Sequence, residues 1–464
     1  LTPIQYANII ADTFGFAVNT SALPAESRDY YTPSASSGGV GLRDVSQLET
    51  YYKTALAVST SLNNDFDNVT KKFSACVQSA SACQTEITLK VLSRLFREKL
   101  SGTEAEVVAI TDKFKAETDF KTRLTNSVVA ALMSPRFLYV VEFQAGFRTT
   151  PLLVNKLRTL TDVEVASRLS FLIWNSSPDE ELLNLAAAKT LSQPAVLKAQ
   201  LARLLANSKS DRFVKTFTGD WLNITGLNQT SKDAGLVPGF SQSLMGKMKT
   251  ETEMFSLSNF RSGVDIRQLF TSEKTFVDSA LATHYGIAGV SGTNFVEVRK
   301  PASDLQAGLL SQGSLSAATA GDATDPIHRG LYLYSRFLCG RIPDPPASAS
   351  LVAFEGSKFE QMLQRGQNQS CAGCHAKFES LGYVLEVLDP VGRFRTTDEA
   401  GAMTGRTVAM ENGTPVTSVR DLSQALSSDP LTGFCLMRNL EKYALSGSFA
   451  STKGLQCQTE NQLY

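Results

Sequence analysis

The sequence predicts a mainly α protein built as a helical body of several modules, ending in a unit of different chemistry. Three observations carry this. Apolar residues recur three and four apart through most of the 464 residues. Ser, Thr, Asp, Gly or Pro bound these stretches, as helix ends require. Runs that alternate apolar and polar between turns are few.

Residues 1–60 form a first helical module. "LTPIQYANIIADTFGF" reads as an amphipathic helix, "TPSASSGGVG" as a polar break, and "RDVSQLETYYKTALAVSTSL" as a second helix. Residues 61–120 carry Cys76 and Cys83, the helix "TEITLKVLSRLFREKL", and a helix start at "SGTEAEVVAI", where Ser101 and Glu104 match a capping box. Residues 121–300 are the longest helical module, with "TDVEVASRLSFLIW", "SSPDEELLNLAAA", "QPAVLKAQLARLLAN", "DRFVKTFTGDWLNI" and "MKTETEMFSLSNF". The acidic "SPDEEL" complements the positive end of a helix dipole. Trp174 and Trp221 lie on apolar faces and read as core anchors. Residues 301–360 join the helix "PIHRGLYLYSRFLCGR" to a Pro/Ser/Ala-rich linker, "IPDPPASASLVAFEGS", and residues 361–464 form the final unit.

Charge and hydropathy exclude two classes. Lys plus Arg equals Asp plus Glu at 45 each, and no basic run could follow a phosphate backbone, so no nucleic-acid partner is expected. The most apolar stretch, "SVVAALMSPRFLYVVEF", is broken by Ser134, Pro135 and Arg136, so no transmembrane span is expected. The opening residues resemble a helix and not a secretory leader; if the protein is exported, its leader has been removed. Short cysteine spacings suit an oxidising compartment. The expected bridges are Cys76–Cys83 and Cys435–Cys457, with Cys339 left as a buried thiol; all five reduced in the core is the alternative.

The chemistry concentrates in "NQSCAGCHAKFESLGY". Cys371, Cys374 and His375 fall on one helical turn in a chain with only three histidines. Two thiols three apart can each add to a haem vinyl group, and the adjacent imidazole can swing under the iron. A zinc clip would need two further ligands from Cys339, Cys435, Cys457, His284 or His328, none of which forms a second close pair. A redox dithiol usually follows a strand in a βαβ setting, which is missing before residue 371. The fold class expected is therefore a multi-module helical body followed by a C-terminal cytochrome c-like haem unit with one covalent haem c.

Many blocks, in order, resemble the multi-module proteins of planctomycetes and myxobacteria that carry planctomycete-type cytochrome c and associated domains of unknown function. They include "LTPIQYANIIADTFG", "ACVQSASACQTEITLKVLSRLFREKL", "ASRLSFLIWNSSPDEELLNLA", "TFVDSALATHYGI", "GLLSQGSLS", "DPIHRGLYL", "CGRIPDPP", "CAGCHAKFESLGYVLEVLDPVGRFRTTD" and "NLEKYAL". The resemblance implies export, haem at Cys371, Cys374 and His375, and redox work outside the cytoplasm. The tail departs from the pattern, reading "YALSGSF" where a Tyr-Ala-Leu-Gly-Arg type sequence is expected.

His375 is the expected proximal iron ligand. For the distal side, Met410 and Met403 in the loop "EAGAMTGRTVAMENG" rank ahead of His328 and His284, and Met437 in "FCLMRNLEKYAL" reads as a core filler. Arg393 and Arg395 in "DPVGRFRTT" suit either haem propionates or ion pairs with Glu386 and Asp389. The expected function is single-electron transfer to a redox partner protein at the periplasm or cell surface. A haem-dependent oxidoreductase of peroxidase or oxygenase type with an open distal face is the alternative. A surface or structural assembly protein stapled by haem, as an oligomer or a cell-surface assembly, is the third reading. No catalytic residue is assignable.

Overall fold

The computed structural model describes residues 1–24, 45–140, 159–300, 307–343 and 353–444. Among these, helices dominate and two short two-stranded sheets are the only sheets. The chain divides into two compact units, with the boundary between Phe213 and Val214.

The first unit opens on α1 (Pro3–Phe14). Thr2 caps it through the Gln5 N–H, the Gln5 side chain answers at the Thr2 N–H, and Pro3 presets the first turn. Gly15, at φ +90, ends it in the left-handed region. Tyr6, Ile9, Ile10 and Phe14, spaced three to four apart, are buried on one face. They pack with α2 (Val45–Asn64), α3 (Phe66–Lys71), α4 (Ser81–Phe96), α5 (Ala105–Lys113), α6 (Phe120–Leu132) and α7 (Pro135–Leu138) around Val58, Leu62, Ile87, Val91, Leu95, Leu124 and Val128.

A second cluster in this unit joins α8 (Asp162–Trp174), α9 (Glu180–Ala187) and α10 (Pro194–Ala206) through Ile173, Leu182, Leu191 and Leu204. Its core anchor is Trp174, whose indole N–H donates to the Leu204 carbonyl at 3.0 Å. The acidic run acts as its position suggests: Asp179 caps α9 by accepting from the Leu182 N–H, and pairs with Arg203 at 2.6 Å. The Ser101–Glu104 pair does not start a helix. Glu104 accepts from Ser101 and Gly102 within a tight turn, and α5 begins only at Ala105, because the carboxylate closes onto the turn before helical geometry sets in.

The second unit begins inside α11 (Asp211–Trp221) and continues with α12 (Gln242–Ser262), β1 (Lys274–Val277), α13 (Ser279–His284) and β2 (Val296–Arg299). β1 and β2 are antiparallel, with Lys274 opposite Arg299 and Val277 opposite Val296. Then follow α14 (Gly313–Ala318), α15 (Pro326–Phe337), α16 (Lys358–Gln367), α17 (Ala372–Val384), the small hairpin β3 (Val408–Ala409) and β4 (Pro415–Val416), α18 (Val419–Ser428) and α19 (Pro430–Ala444). Trp221 is buried, stacks with Phe217, meets Phe337 edge-on, and donates to the Arg336 carbonyl at 3.1 Å.

The disulfides divide the cysteine expectation. Cys76–Cys83 forms. Cys435 bonds to Cys339 and not to Cys457, which lies outside the described residues, so Cys339 is no leftover thiol. The reason is packing. α19 lies against α15, bringing Cys435 within 5.2 Å, Cα to Cα, of a cysteine 96 residues earlier. No helix among the described residues is long and apolar enough to cross a membrane.

Candidate functional site

Cys371, Cys374 and His375 stand at the first turn of α17. Cys371 is its N-cap, and its carbonyl accepts from the Cys374 and His375 N–H groups at 3.1 and 3.0 Å. The spacing puts the three side chains on one side of the turn. Both thiols are unpaired and partly exposed. Gly373 faces open space: a methyl group built there would meet nothing within 4 Å. Between the two thiols stand only the small residues Ala372 and Gly373. The donor set and the clear approach therefore fit a covalently held haem.

His375 is oriented from behind. Its Nδ1 lies 2.8 Å from an oxygen of Glu379, one turn later, and that carboxylate is 1% exposed. A carboxylate only accepts, so Nδ1 carries the proton and Nε2 keeps its lone pair free. Arg365 of α16 holds Glu379 from the other side, with Nε at 2.9 and 3.0 Å from its oxygens and a further contact from Nη2. Burial pushes the Glu379 carboxyl upward, but donation from His375 and Arg365 outweighs it and leaves the group below its usual range. Among the described residues no group of three or more His, Cys, Asp or Glu side chains converges to hold a metal ion by itself.

The helix bearing this turn is fixed by α15. A Cβ on Gly382 would lie 1.9 Å from the Pro326 carbonyl oxygen, and one on Gly330 would lie 2.2 Å from that of Phe378, so only glycine permits this crossing. Arg329, fully buried, then closes the far end of α17. Its guanidinium donates to the carbonyls of Leu385, Leu388 and Asp389 and pairs with the fully buried Glu386 at 3.3 Å. Lys358 and Arg395 also reach Glu386, and both reach Glu399.

Both arginines make ion pairs. Arg393 bonds Asp389 at 2.8 Å, and Arg395 is committed to Glu386 and Glu399. The other candidates are spread over the unit. Met410 is buried in the β3–β4 hairpin, whose first strand packs against α17. Met403 is 60% exposed, and its carbonyl accepts from Tyr383 of α17 at 3.4 Å. Met437 is no core filler: it is 47% exposed, because α19 turns Cys435, Leu436 and Asn439 inward instead. His284 sets Nε2 2.8 Å from the Val391 carbonyl, and His328 is largely exposed, paired with Asp325 at 2.7 Å.

Residues 160–287 match PSD4, a protein of unknown function (DUF1592), and residues 306–398 match PSCyt3, a protein of unknown function (DUF1588). Both are domains associated with planctomycete cytochrome c, and the second match contains Cys371, Cys374 and His375. These two stretches resemble modules of the planctomycete-type multi-module proteins. No curated protein and no solved structure matches the chain.

Sequence reasoning missed the pair that backs the histidine. Glu379 left a signal, since a carboxylate four residues after a histidine shares its helix face. Arg365 left none, because it comes from another helix.

The Glu386–Glu399 cluster carries an acid sensitivity. Burial raises the Glu399 carboxyl, but Lys358, the Thr324 N–H and Arg395 together hold it well below the ordinary carboxylate range. A depressed folded value contributes stability that is complete above the unfolded value, about 4.3, and is lost as pH falls toward the folded one. The thermal midpoint of the wild type is expected to drop more steeply below about pH 4 than that of Glu399→Gln. Parallel curves would show that this pairing adds nothing.

Proposed function

We propose that this chain is an exported c-type cytochrome that passes single electrons outside the cytoplasm. Cys371 and Cys374 would hold haem, each adding its S–H across a vinyl group so that the C–S bond forms and the thiol hydrogen goes to the other vinyl carbon. His375 offers Nε2 to the iron. The observation that carries this reading is the site's own arrangement: two unpaired thiols beside a histidine whose other nitrogen is already taken by Glu379. Bound there, haem would supply one-electron chemistry; the chain would hold it through Cys371 and Cys374, and Glu379 orients the imidazole of His375.

Met410 and then Met403 are the distal ligands proposed, because α17 packs against the strand leading to the first and holds the backbone of the second. His328 and His284 are the alternatives, each with one ring nitrogen bonded and the other left for a ligand. A redox partner protein is the expected acceptor or donor. One observation favours a second reading, a haem oxidoreductase: a carboxylate on the proximal imidazole raises ligand basicity and pushes electron density toward iron.

The visible spectrum of the reduced protein, with and without carbon monoxide, separates the two. Bands that do not move mean a closed six-coordinate iron and electron transfer. A shifted Soret band means an open distal face and the oxidoreductase reading. No haem band at all, in protein made with an intact haem-attachment pathway, overturns both. Glu379→Gln removes the charge behind His375; the midpoint potential is expected to rise while covalent haem is retained. An unchanged potential would show that the carboxylate only packs.

A further inference from the structure

The first unit contains a cavity of about 260 Å³ that the haem reading leaves unused. Its wall is formed by the ends of α1 and α3, the face of α4, the turn after α4 and the start of α9. Four cations line it, Lys72, Lys90, Arg94 and Lys99, against two carboxylates, Asp12 and Glu180. Asp12 is already claimed by Arg212 at 2.7 and 3.0 Å and by Lys209 at 3.2 Å. Asp179, Asp12 and Glu180 act on Arg94 through space, and none of them hydrogen-bonds it.

Lys72 and Lys99 are held by neutral acceptors, which fix their positions and leave their charge in place. Lys72 donates to the Phe14 carbonyl at 2.9 Å and Lys99 to the Asn184 side chain at 2.7 Å. Lys90 donates to the Phe73 carbonyl at 2.9 Å and touches Glu86 at 3.0 Å. Arg94 is different. Its Nε is sealed from solvent with no hydrogen-bond partner, and among the described residues its guanidinium makes no hydrogen bond or ion pair. One turn on, Arg97 shows how this unit treats a structural arginine: its guanidinium donates to the carbonyls of Leu95, Arg136, Phe137 and Tyr139. A buried polar group left unpaired is costly and calls for a missing partner.

We propose that this cavity binds a small organic oxyanion, a carboxylate or phosphate ester, with the anionic group on Arg94 and the lysines. Apolar wall from Phe73, Leu100 and Leu183 receives the rest of the ligand. The cavity has room for more than a single water, and so for a small organic molecule. Such an anion completes the hydrogen bonding of Arg94 and offsets the local excess of positive charge.

Titration calorimetry on the full chain with inorganic phosphate, benzoate, phenyl phosphate and neutral benzyl alcohol tests this. Saturable one-to-one binding of benzoate or phenyl phosphate is expected, tighter than inorganic phosphate, with no binding of benzyl alcohol; the better of the two identifies the headgroup. Arg94→Met should weaken it about tenfold or more. The exposed pair Lys72→Gln and Lys99→Gln, which leaves the core alone, should weaken it severalfold. The inference fails if neither organic anion binds, if benzyl alcohol binds as well as they do, or if the lysine variant, checked as folded by circular dichroism, binds unchanged. None of these results depends on haem.

Discussion

Replacing Cys371 and Cys374 together with alanine is expected to abolish haem staining on a denaturing gel, while the helical circular dichroism of the protein persists. The loss should be complete, because thioether bonds are the only link that survives denaturation, and the chain offers no other pair of thiols with a histidine beside it. The fold should survive because both side chains are partly exposed at the start of α17 and the α15 crossing lies further along that helix, at Gly330 and Gly382. Single replacements should leave weaker staining through the remaining thiol. His375→Ala should keep the stain and change the spectrum, since it removes an iron ligand and no covalent bond. Staining that persists in the double variant would sink the site assignment.

That site was readable because its chemistry is local. Two thiols and an imidazole within one helical turn need no tertiary information, and the periodic stripes of α1, α4, α8 and α10 likewise announce their own faces. What the sequence hid was long-range. Cys435 had a cysteine 22 residues ahead and another 96 residues behind, and only the packing of α19 on α15 selects Cys339. Met437 shares a helix with Cys435, two residues away, yet points outward, because the periodic pattern there did not say which stripe of α19 faces α15. Arg393 and Arg395 could serve a propionate or a carboxylate, and the ion-pair partners, Asp389 and Glu386, were visible but unranked. Arg329 was the least legible. A lone arginine in an amphipathic helix usually faces water, and nothing in "DPIHRG" announces complete burial.

That burial makes Arg329→Met the most damaging single substitution expected in the second unit. The side chain is similar in reach but brings neither charge nor donors. Three carbonyls, those of Leu385, Leu388 and Asp389, lose their donor at the end of the helix that carries Cys371, Cys374 and His375. Glu386, with no exposure of its own, loses one of its three cations. Breaking a buried pair from one side costs about 3–5 kcal/mol, because what remains is an undercompensated charge and not a clean apolar contact. The expected result is a urea midpoint shifted down by that amount of free energy. Lys358→Met should cost less, because its side chain is part-exposed and water can take over its role at Glu386. Equal costs for the two would mean that the network acts as a diffuse field, and a cost below about 1 kcal/mol for Arg329→Met would mean that the α15–α17 crossing is held by its glycines alone.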